Sequence, residues 1–186
     1  KILSSSSLPL LIKDFIREKA EIDFYASLIG RGDLGRCALL LIAHHVRRRL
    51  PELLEYMNFL GLEALVEIRD PEDLPDPRSL PFPLKLIGFN NKDIDRLERD
   101  EDKIRIDAEA VRKIRNRFPE ALIISESGHR RIEDVRLSLS AGADAVLVGT
   151  HFMLAEDPSS EVRKFVTAGG ELWFGLSSAA QGAGRM

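Results

Sequence analysis

Leu8-Pro9-Leu10-Leu11-Ile12-Lys13-Asp14-Phe15 is an apolar run that ends on an ammonium group. The same pattern recurs down the chain. Leu62-Glu63-Ala64-Leu65-Val66-Glu67-Ile68 closes on a carboxylate, and Leu84-Lys85-Leu86-Ile87-Gly88-Phe89 runs into Asn90-Asn91-Lys92-Asp93. Leu122-Ile123-Ile124 ends in Ser125-Glu126-Ser127-Gly128, and Ala145-Val146-Leu147-Val148 ends in Gly149-Thr150. In a parallel β/α barrel all strand ends of this kind face one mouth, where the active site sits. The repeated delivery of polar groups at the carboxyl ends of apolar strands therefore points to an enzyme and marks its catalytic face.

Between these runs, helical patterns alternate with strands. Leu8–Lys13 reads as a strand and Arg17–Leu28 as a helix, with Ile22, Tyr25, Ala26 and Ile29 on one side. Ala38–Ala43 is apolar throughout, as a strand buried on both faces requires. Pro51–Leu60 carries a helical stripe of Leu53, Leu54, Met57 and Leu60, closed by Gly61 before strand Leu62–Ile68. Pro75, Pro77, Pro81 and Pro83 forbid a long helix after Asp70, so one turn and an extended connection are expected before strand Leu84–Phe89. The charge-dense stretch 93–107 reads as a solvated excursion. Helix Ala108–Phe118, strand Ala121–Ser125, helix Arg131–Ala141 and strand Ala145–Gly149 follow, then a short helix over Thr150–Ala155 and a last one over Ser160–Thr167.

Six strands in βα units imply a parallel sheet. An open doubly wound sheet is one solution and a β/α barrel another. The barrel is favoured because polar residues end nearly every strand, whereas a doubly wound sheet gathers them at one switch point. The expected fold is an incomplete (β/α)8 barrel of six units over residues 1–168, with residues 169–186 a flexible or loosely packed tail. A complete barrel takes roughly 200 to 250 residues, and this chain has 186.

Composition bounds the function. With 44% hydrophobic residues, 31% charged and a net charge of -3, the chain reads as a soluble globular domain. That balance gives no electrostatic case for nucleic acid, and no stretch is long and apolar enough to span a bilayer. Cys37, the single cysteine, rules out an internal disulfide framework and reads as an inert core thiol of a reducing compartment.

The elements Leu11-Ile12-Lys13-Asp14-Phe15-Ile16, Leu65-Val66-Glu67-Ile68, Ile87-Gly88-Phe89-Asn90-Asn91-Lys92-Asp93, Ser125-Glu126-Ser127-Gly128 and Gly142-Ala143-Asp144-Ala145-Val146-Leu147-Val148-Gly149-Thr150 occur in a fixed order. Together they resemble indole-3-glycerol-phosphate synthase, a β/α barrel lyase of tryptophan biosynthesis. The likeness covers about Leu8 to Ala155 and makes the six strands the third to the eighth of that family. It implies a phosphosugar substrate, 1-(2-carboxyphenylamino)-1-deoxyribulose 5-phosphate, whose ring closes with loss of carbon dioxide and then water. It implies no cofactor and no metal. Cytoplasmic residence follows from it, or a plastid if a fuller chain carries a transit peptide.

Such chemistry needs an acid for the ketone oxygen, a base for the dehydration and a fixed phosphate anchor. By resemblance Lys13 is the general acid, a cation expected among apolar walls that push its pKa down. Its alternative is a plain partner for a nearby carboxylate. Glu67 matches the general base, or pairs with Lys13, or both. Glu63 shares its side of the strand but nearer the barrel bottom. Asn90 matches a substrate-contacting amide, with a turn-forming Asn-Asn pair as the rival. Lys92 stands where the family commonly has arginine. Glu126, Ser127 and Gly128 match the Glu-Ser-Gly of the seventh strand, and Gly149 and Thr150 open the short helix whose N–H groups bind phosphate. His129 replaces the aliphatic residue usual after Glu-Ser-Gly. His151 follows Thr150, and His44-His45 lacks a third ligand for a metal. Arg47-Arg48-Arg49 reads as a solvated helix face.

The family's first two strands, with their further Glu and Lys, have no counterpart here. The chain begins abruptly and without Met, so it is expected to be a fragment of a longer enzyme with little activity alone, or to be completed by a second copy across its open sheet edges. A non-catalytic phosphate-binding or assembly module remains the reading from a different class. Another phosphosugar barrel, such as a phosphoribosyl isomerase, is the sister reading among enzymes.

Overall fold

The computed structural model describes residues 7–92 and 104–182, so the stretch read as a charged excursion lies mostly outside the described residues. The chain divides into two compact units, Lys1–Gly88 and Phe89–Met186.

The first unit is built on strands β1 (Leu10–Ile12), β2 (Cys37–Ile42) and β3 (Glu63–Ile68). Leu10 is level with Cys37, and Ala38 with Glu63, in two parallel ladders. Leu39 and Leu41 are fully buried, as are Leu65 and Val66 beside them, which is why these strands read as unbroken apolar runs. Cys37 is buried at the start of β2, where burial pushes its thiol pKa up. β1 is shorter than the sequence suggests. Its three residues are only half-buried and bond to β2 alone, so Leu8 and Pro9 gain nothing by continuing the ladder.

Helix α1 (Lys19–Ile29) is opened by Glu21, whose carboxylate accepts the N–H groups of Arg17 at 2.6 Å and Glu18 at 3.0 Å. A four-residue turn of helix, α2 (Ala43–Val46), follows β2 and was not legible in the sequence. α3 (Leu50–Leu60) buries Leu50, Leu53, Leu54 and Met57, begins with Pro51 in its first turn and ends at Gly61, whose φ of 80° is the left-handed conformation glycine allows. After β3 the chain makes two single 3-10 turns, Pro71–Asp73 and Pro77–Ser79, where the sequence suggested one. Asp70 and Asp76 cap them by accepting the N–H groups of Glu72 at 2.9 Å and Arg78 at 2.8 Å.

Strand β4 (Leu86–Asn90) straddles the boundary between the units. The second unit continues with α4 (Ala108–Arg117), β5 (Leu122–Glu126), α5 (Ile132–Ser140), β6 (Ala145–Leu147), α6 (Thr150–Leu154) and α7 (Pro158–Gly182). β5 and β6 pair in parallel, with Ile124 level with Ala145. Arg115 of α4 staples this region. It donates to the carbonyls of Pro119 and Ala121 at 2.8 Å and of Gly142 at 3.0 Å, and it pairs with Asp144. The same Asp144 carboxylate accepts the N–H of Ile123 at 2.7 Å. Val135 and Leu139 of α5 pack with Phe165 of α7 and, at their margin, Val146, Val148 and Phe152.

The last helix runs well past Ser160–Thr167, and its backbone stays helical to Gly182. No proline follows Pro158, so only scattered glycines oppose its continuation.

Strand order follows chain order, β1-β2-β3-β4-β5-β6. A doubly wound sheet must reverse its order at a switch point, so sequential order excludes that solution and leaves six successive units of the barrel class.

Candidate active site

Residues at the carboxyl ends of the strands form one constellation in each unit. In the first, Glu67 sits on β3 with only 2% of its side chain exposed, and Lys13 follows the last residue of β1. The register sets Ile12 beside Leu39 and Ile42 beside Glu67, so the two charged residues rise from strands two apart, about 10 Å across the sheet. A long lysine stem closes that gap, and Nζ donates to Glu67 Oε2 at 2.9 Å. A carboxylate buried to this degree must be paired, and here it is. The ammonium does not stand among apolar walls as the sequence suggested. The Lys13 side chain is 36% exposed and its charge meets a carboxylate.

The neighbouring Asp14 has partners of its own. Its carboxylate accepts the phenol of Tyr25 on α1 and the N–H of Phe15. Those bonds hold the Asp14 carboxyl below its ordinary range, and the phenol of Tyr25 is pushed up in return. Glu63, at the opposite end of β3, pairs with Lys85 at 2.8 Å across an exposed surface. His44 on α2 is exposed and lies 3.8 Å from Asp73. Among the described residues no group of three His, Cys, Asp or Glu side chains could hold a metal ion.

The second unit holds a cavity of about 810 Å³. Lys92, Ser127, Gly128, Gly149 and Thr150, all named from the sequence, line it together. So do Arg130 and Lys164, two cations the sequence reading passed over, and the carboxylates of Glu156, Asp157 and Glu161. Lys164 pairs with Glu161, and this bond holds the Glu161 carboxyl below its ordinary range, with His151 Nε2 3.5 Å from its other oxygen. Asn90 and Glu126 are buried at the ends of β4 and β5, and neither lines the cavity. Asn90 Oδ1 accepts the N–H of Lys92 at 3.0 Å, the turn role that was its rival reading.

Ser127 and Gly128 form a turn with φ values of 64° and 79°. Glycine is required at the second position for two reasons. The angle is left-handed, and a Cβ there would stand 2.8 Å from Cγ2 of Ile104. Gly149 differs, since a Cβ there would meet nothing within 4 Å. Its openness is that of a backbone facing space, at the start of α6.

The sequence reading missed the residue that organises this turn. Asn91 is 4% exposed, and its Nδ2 donates to the carbonyls of Glu126 at 2.8 Å and Ser127 at 3.2 Å and to Ser125 Oγ at 3.1 Å. Its Oδ1 accepts the N–H of Asp107, the cap of α4. A signal existed. Ser125 interrupts the apolar run of β5, and Ser138 interrupts the buried stripe of α5 between Val135 and Leu139. Both serines are fully buried.

Comparison with known proteins bears on the family and the fold. A family model described as Indole-3-glycerol phosphate synthase matches residues 1–165. The chain is 35% identical over 167 residues to the Indole-3-glycerol phosphate synthase of Pyrococcus furiosus, covering 90% of this chain and 68% of that one. It is 37% identical over 171 residues to the Tryptophan biosynthesis protein TrpCD of Archaeoglobus fulgidus, covering 92% of this chain but 28% of that longer protein. A Methanopyrus kandleri protein named Indole-3-glycerol phosphate synthase is 38% identical over 167 residues, covering 87% of this chain and 59% of its own length. Among solved structures, the Amycolatopsis orientalis BexX/CysO complex contains a chain that superposes with a TM-score of 0.64 at 19% identity, over 90% of this chain and 68% of that one. That likeness speaks for the fold alone.

Proposed function

The chain belongs to the indole-3-glycerol phosphate synthase family, and from that premise we propose that its strand ends carry the family's ring closure on 1-(2-carboxyphenylamino)-1-deoxyribulose 5-phosphate. In this reaction the ring carbon bearing the carboxylate attacks the ketone carbon. The new carbon–carbon bond is followed by loss of carbon dioxide and then of water, leaving an indole with a glycerol phosphate tail.

The observation that carries the proposal is the buried Glu67 at 2.9 Å from Lys13. An acid and a base in hydrogen-bond contact can exchange the proton that the two halves of the reaction need. Lys13 protonates the ketone oxygen as the carbon–carbon bond forms and later assists departure of the hydroxyl. Glu67 holds the ammonium in place and accepts the proton released in dehydration. Asn90 offers a neutral amide to a substrate hydroxyl without competing for protons, and Glu126 is the further strand-end carboxylate that the resemblance assigns to the site. In the cavity of the second unit, Ser127 O–H and the N–H groups of Gly128, Gly149 and Thr150 are the donors for phosphate, with Lys92 as a nearby cation. Anchoring the phosphate fixes the reacting ends and lowers the entropic part of the barrier.

The chain spans about two thirds of the length of the Pyrococcus relative. The test is therefore run with the chain alone and with the remaining segment of that relative supplied in trans. Indole fluorescence is followed after addition of the substrate, with Lys13→Ala as control. Fluorescence in either arm that disappears in Lys13→Ala supports the assignment. No product in both arms refutes it. Phosphate binding that persists in Lys13→Ala without any turnover in the unaltered chain would instead favour a binding module.

A further inference from the structure

His129 sits directly after the Ser127–Gly128 turn, at the wall of the 810 Å³ cavity, yet it is only 3% exposed. Its Nε2 lies 2.9 Å from Ser138 Oγ, Ser138 Oγ lies 3.1 Å from Ser125 Oγ, and Ser125 Oγ accepts Asn91 Nδ2 at 3.1 Å. Asn91 Nδ2 also grips the carbonyls of Glu126 and Ser127. The four side chains thus form a bracket. One end holds the residues entering the turn, the other holds the residue leaving it, and the two ends meet inside at a pair of fully buried hydroxyls.

The turn needs such a bracket. Ser127 has a φ of 64°, a conformation that non-glycine residues adopt only when their surroundings over-determine it. Asn91 constrains the entering side. On the leaving side, the His129–Ser138 bond ties the residue after Gly128 to α5, and further along the Asp134 carboxylate accepts the N–H groups of Arg130 at 3.1 Å and Arg131 at 2.9 Å. His129 Nδ1 has no hydrogen-bond partner among the described residues, so the ring's polar capacity goes into the bond with Ser138.

We propose that His129 is a positioning residue for ligand binding: its bond to Ser138 closes the bracket that sets the Ser127–Gly128 turn against the cavity, presenting the turn's hydroxyl and N–H groups to a phosphate ester. The phosphate part rests on the reading of the cavity given above, whereas the positioning of the turn does not. Burial lowers the His129 pKa to about 4, so the ring is neutral near pH 7 and the bracket carries no charge.

The test uses three variants of the full chain. His129→Leu and Ser138→Ala break the tie, and Ser138→Ala removes a single oxygen and keeps the fold where the larger change does not. His129→Gln places an amide where Nε2 was. Two quantities are read by nuclear magnetic resonance, the amide positions of Ser127 and Gly128 and the affinity for inorganic phosphate. The tie-breaking variants are expected to move both amides and to weaken phosphate about tenfold, the worth of one well-placed hydrogen bond. His129→Gln returns both toward the unaltered chain. Amides and affinity that stay put in Ser138→Ala overturn the proposal and reduce His129 to core filling. If the unaltered chain binds no phosphate, the phosphate reading of the cavity falls, and the amide positions alone decide whether His129 sets the turn.

Discussion

Gly128→Ala is the substitution whose cost the structure sets most directly. A φ of 79° is left-handed, which costs an L-residue about 1–2 kcal/mol. The added Cβ would lie 2.8 Å from Cγ2 of Ile104, a side chain only 4% exposed, so it cannot swing into solvent. Overpacking of this kind costs about 1–3 kcal/mol. Together the destabilisation is about 3 kcal/mol, a large part of the stability of an ordinary domain. With a urea dependence of about 2 kcal/mol per molar, the midpoint falls by roughly 1.5 M. Unfolding should be followed by fluorescence and by far-ultraviolet circular dichroism together. A second substitution, Ile104→Ala, separates the two contributions, because it removes the clash and leaves the backbone strain. The double variant should then recover at least about 1 kcal/mol relative to the sum of the single changes. A Gly128→Ala chain within about 0.5 kcal/mol of the unaltered one would refute the argument. Zero coupling to Ile104 would refute its steric half. Gly149→Ala makes the contrast, since no atom lies within 4 Å of the new methyl. It should leave the midpoint unchanged and show its effect only in ligand binding.

Glu67→Gln should lower kcat by about 10²–10⁴ in the indole fluorescence assay, the usual worth of a general base. Its stability change should stay within about 1 kcal/mol, because Lys13 is partly hydrated and can still donate to the amide; equal losses of rate and stability would mean a structural role. Acid should destabilise the second unit through His129, whose folded pKa of about 4 lies below the ordinary 6.5. The unfolded chain takes up that proton first, so stability is full above pH 6.5 and falls as pH drops towards 4, by up to about 3 kcal/mol. A His129→Gln chain with the same slope of denaturation midpoint against pH over that window would contradict this. Arg115→Ala strips donors from the carbonyls of Pro119, Ala121 and Gly142 and should cost about 2–3 kcal/mol in urea unfolding. Arg115→Lys should rescue little, because an ammonium lacks the planar fork; full rescue would show that charge alone matters there.

The strand ends were readable because each puts a polar group where an apolar run stops, and that signal needs no tertiary information. Lys13 and Glu67 were both named from it, with their pairing as one reading. Sheet order was readable for the same reason, since six alternating units leave few topologies. Other features depend on contacts that are distant in sequence. Asn91 looked like half of a turn dipeptide, and only the juxtaposition of β4 with β5 shows it gripping Ser125, Glu126 and Ser127. The short β1 could not be foreseen from Leu8 and Pro9, because its length depends on having a neighbour on one side only. α7 runs on to Gly182, past the Thr167 end expected from the sequence, because local propensity weighs single residues and no proline follows Pro158 to stop it.

Cys37 gives the molecule a reporter of its own opening. It is the chain's only thiol, and it belongs to the unit Lys1–Gly88. Buried in β2 with its pKa raised, it cannot be alkylated while that strand is in place. The rate of its modification therefore measures how often the unit carrying Lys13 and Glu67 comes apart, and it is silent about the unit carrying the cavity. A compound that bound only in the cavity would slow this alkylation just to the extent that the two units unfold as one. Comparing the labelling rate with and without such a compound thus reads the cooperativity between the half that carries Lys13 and Glu67 and the half that carries the cavity.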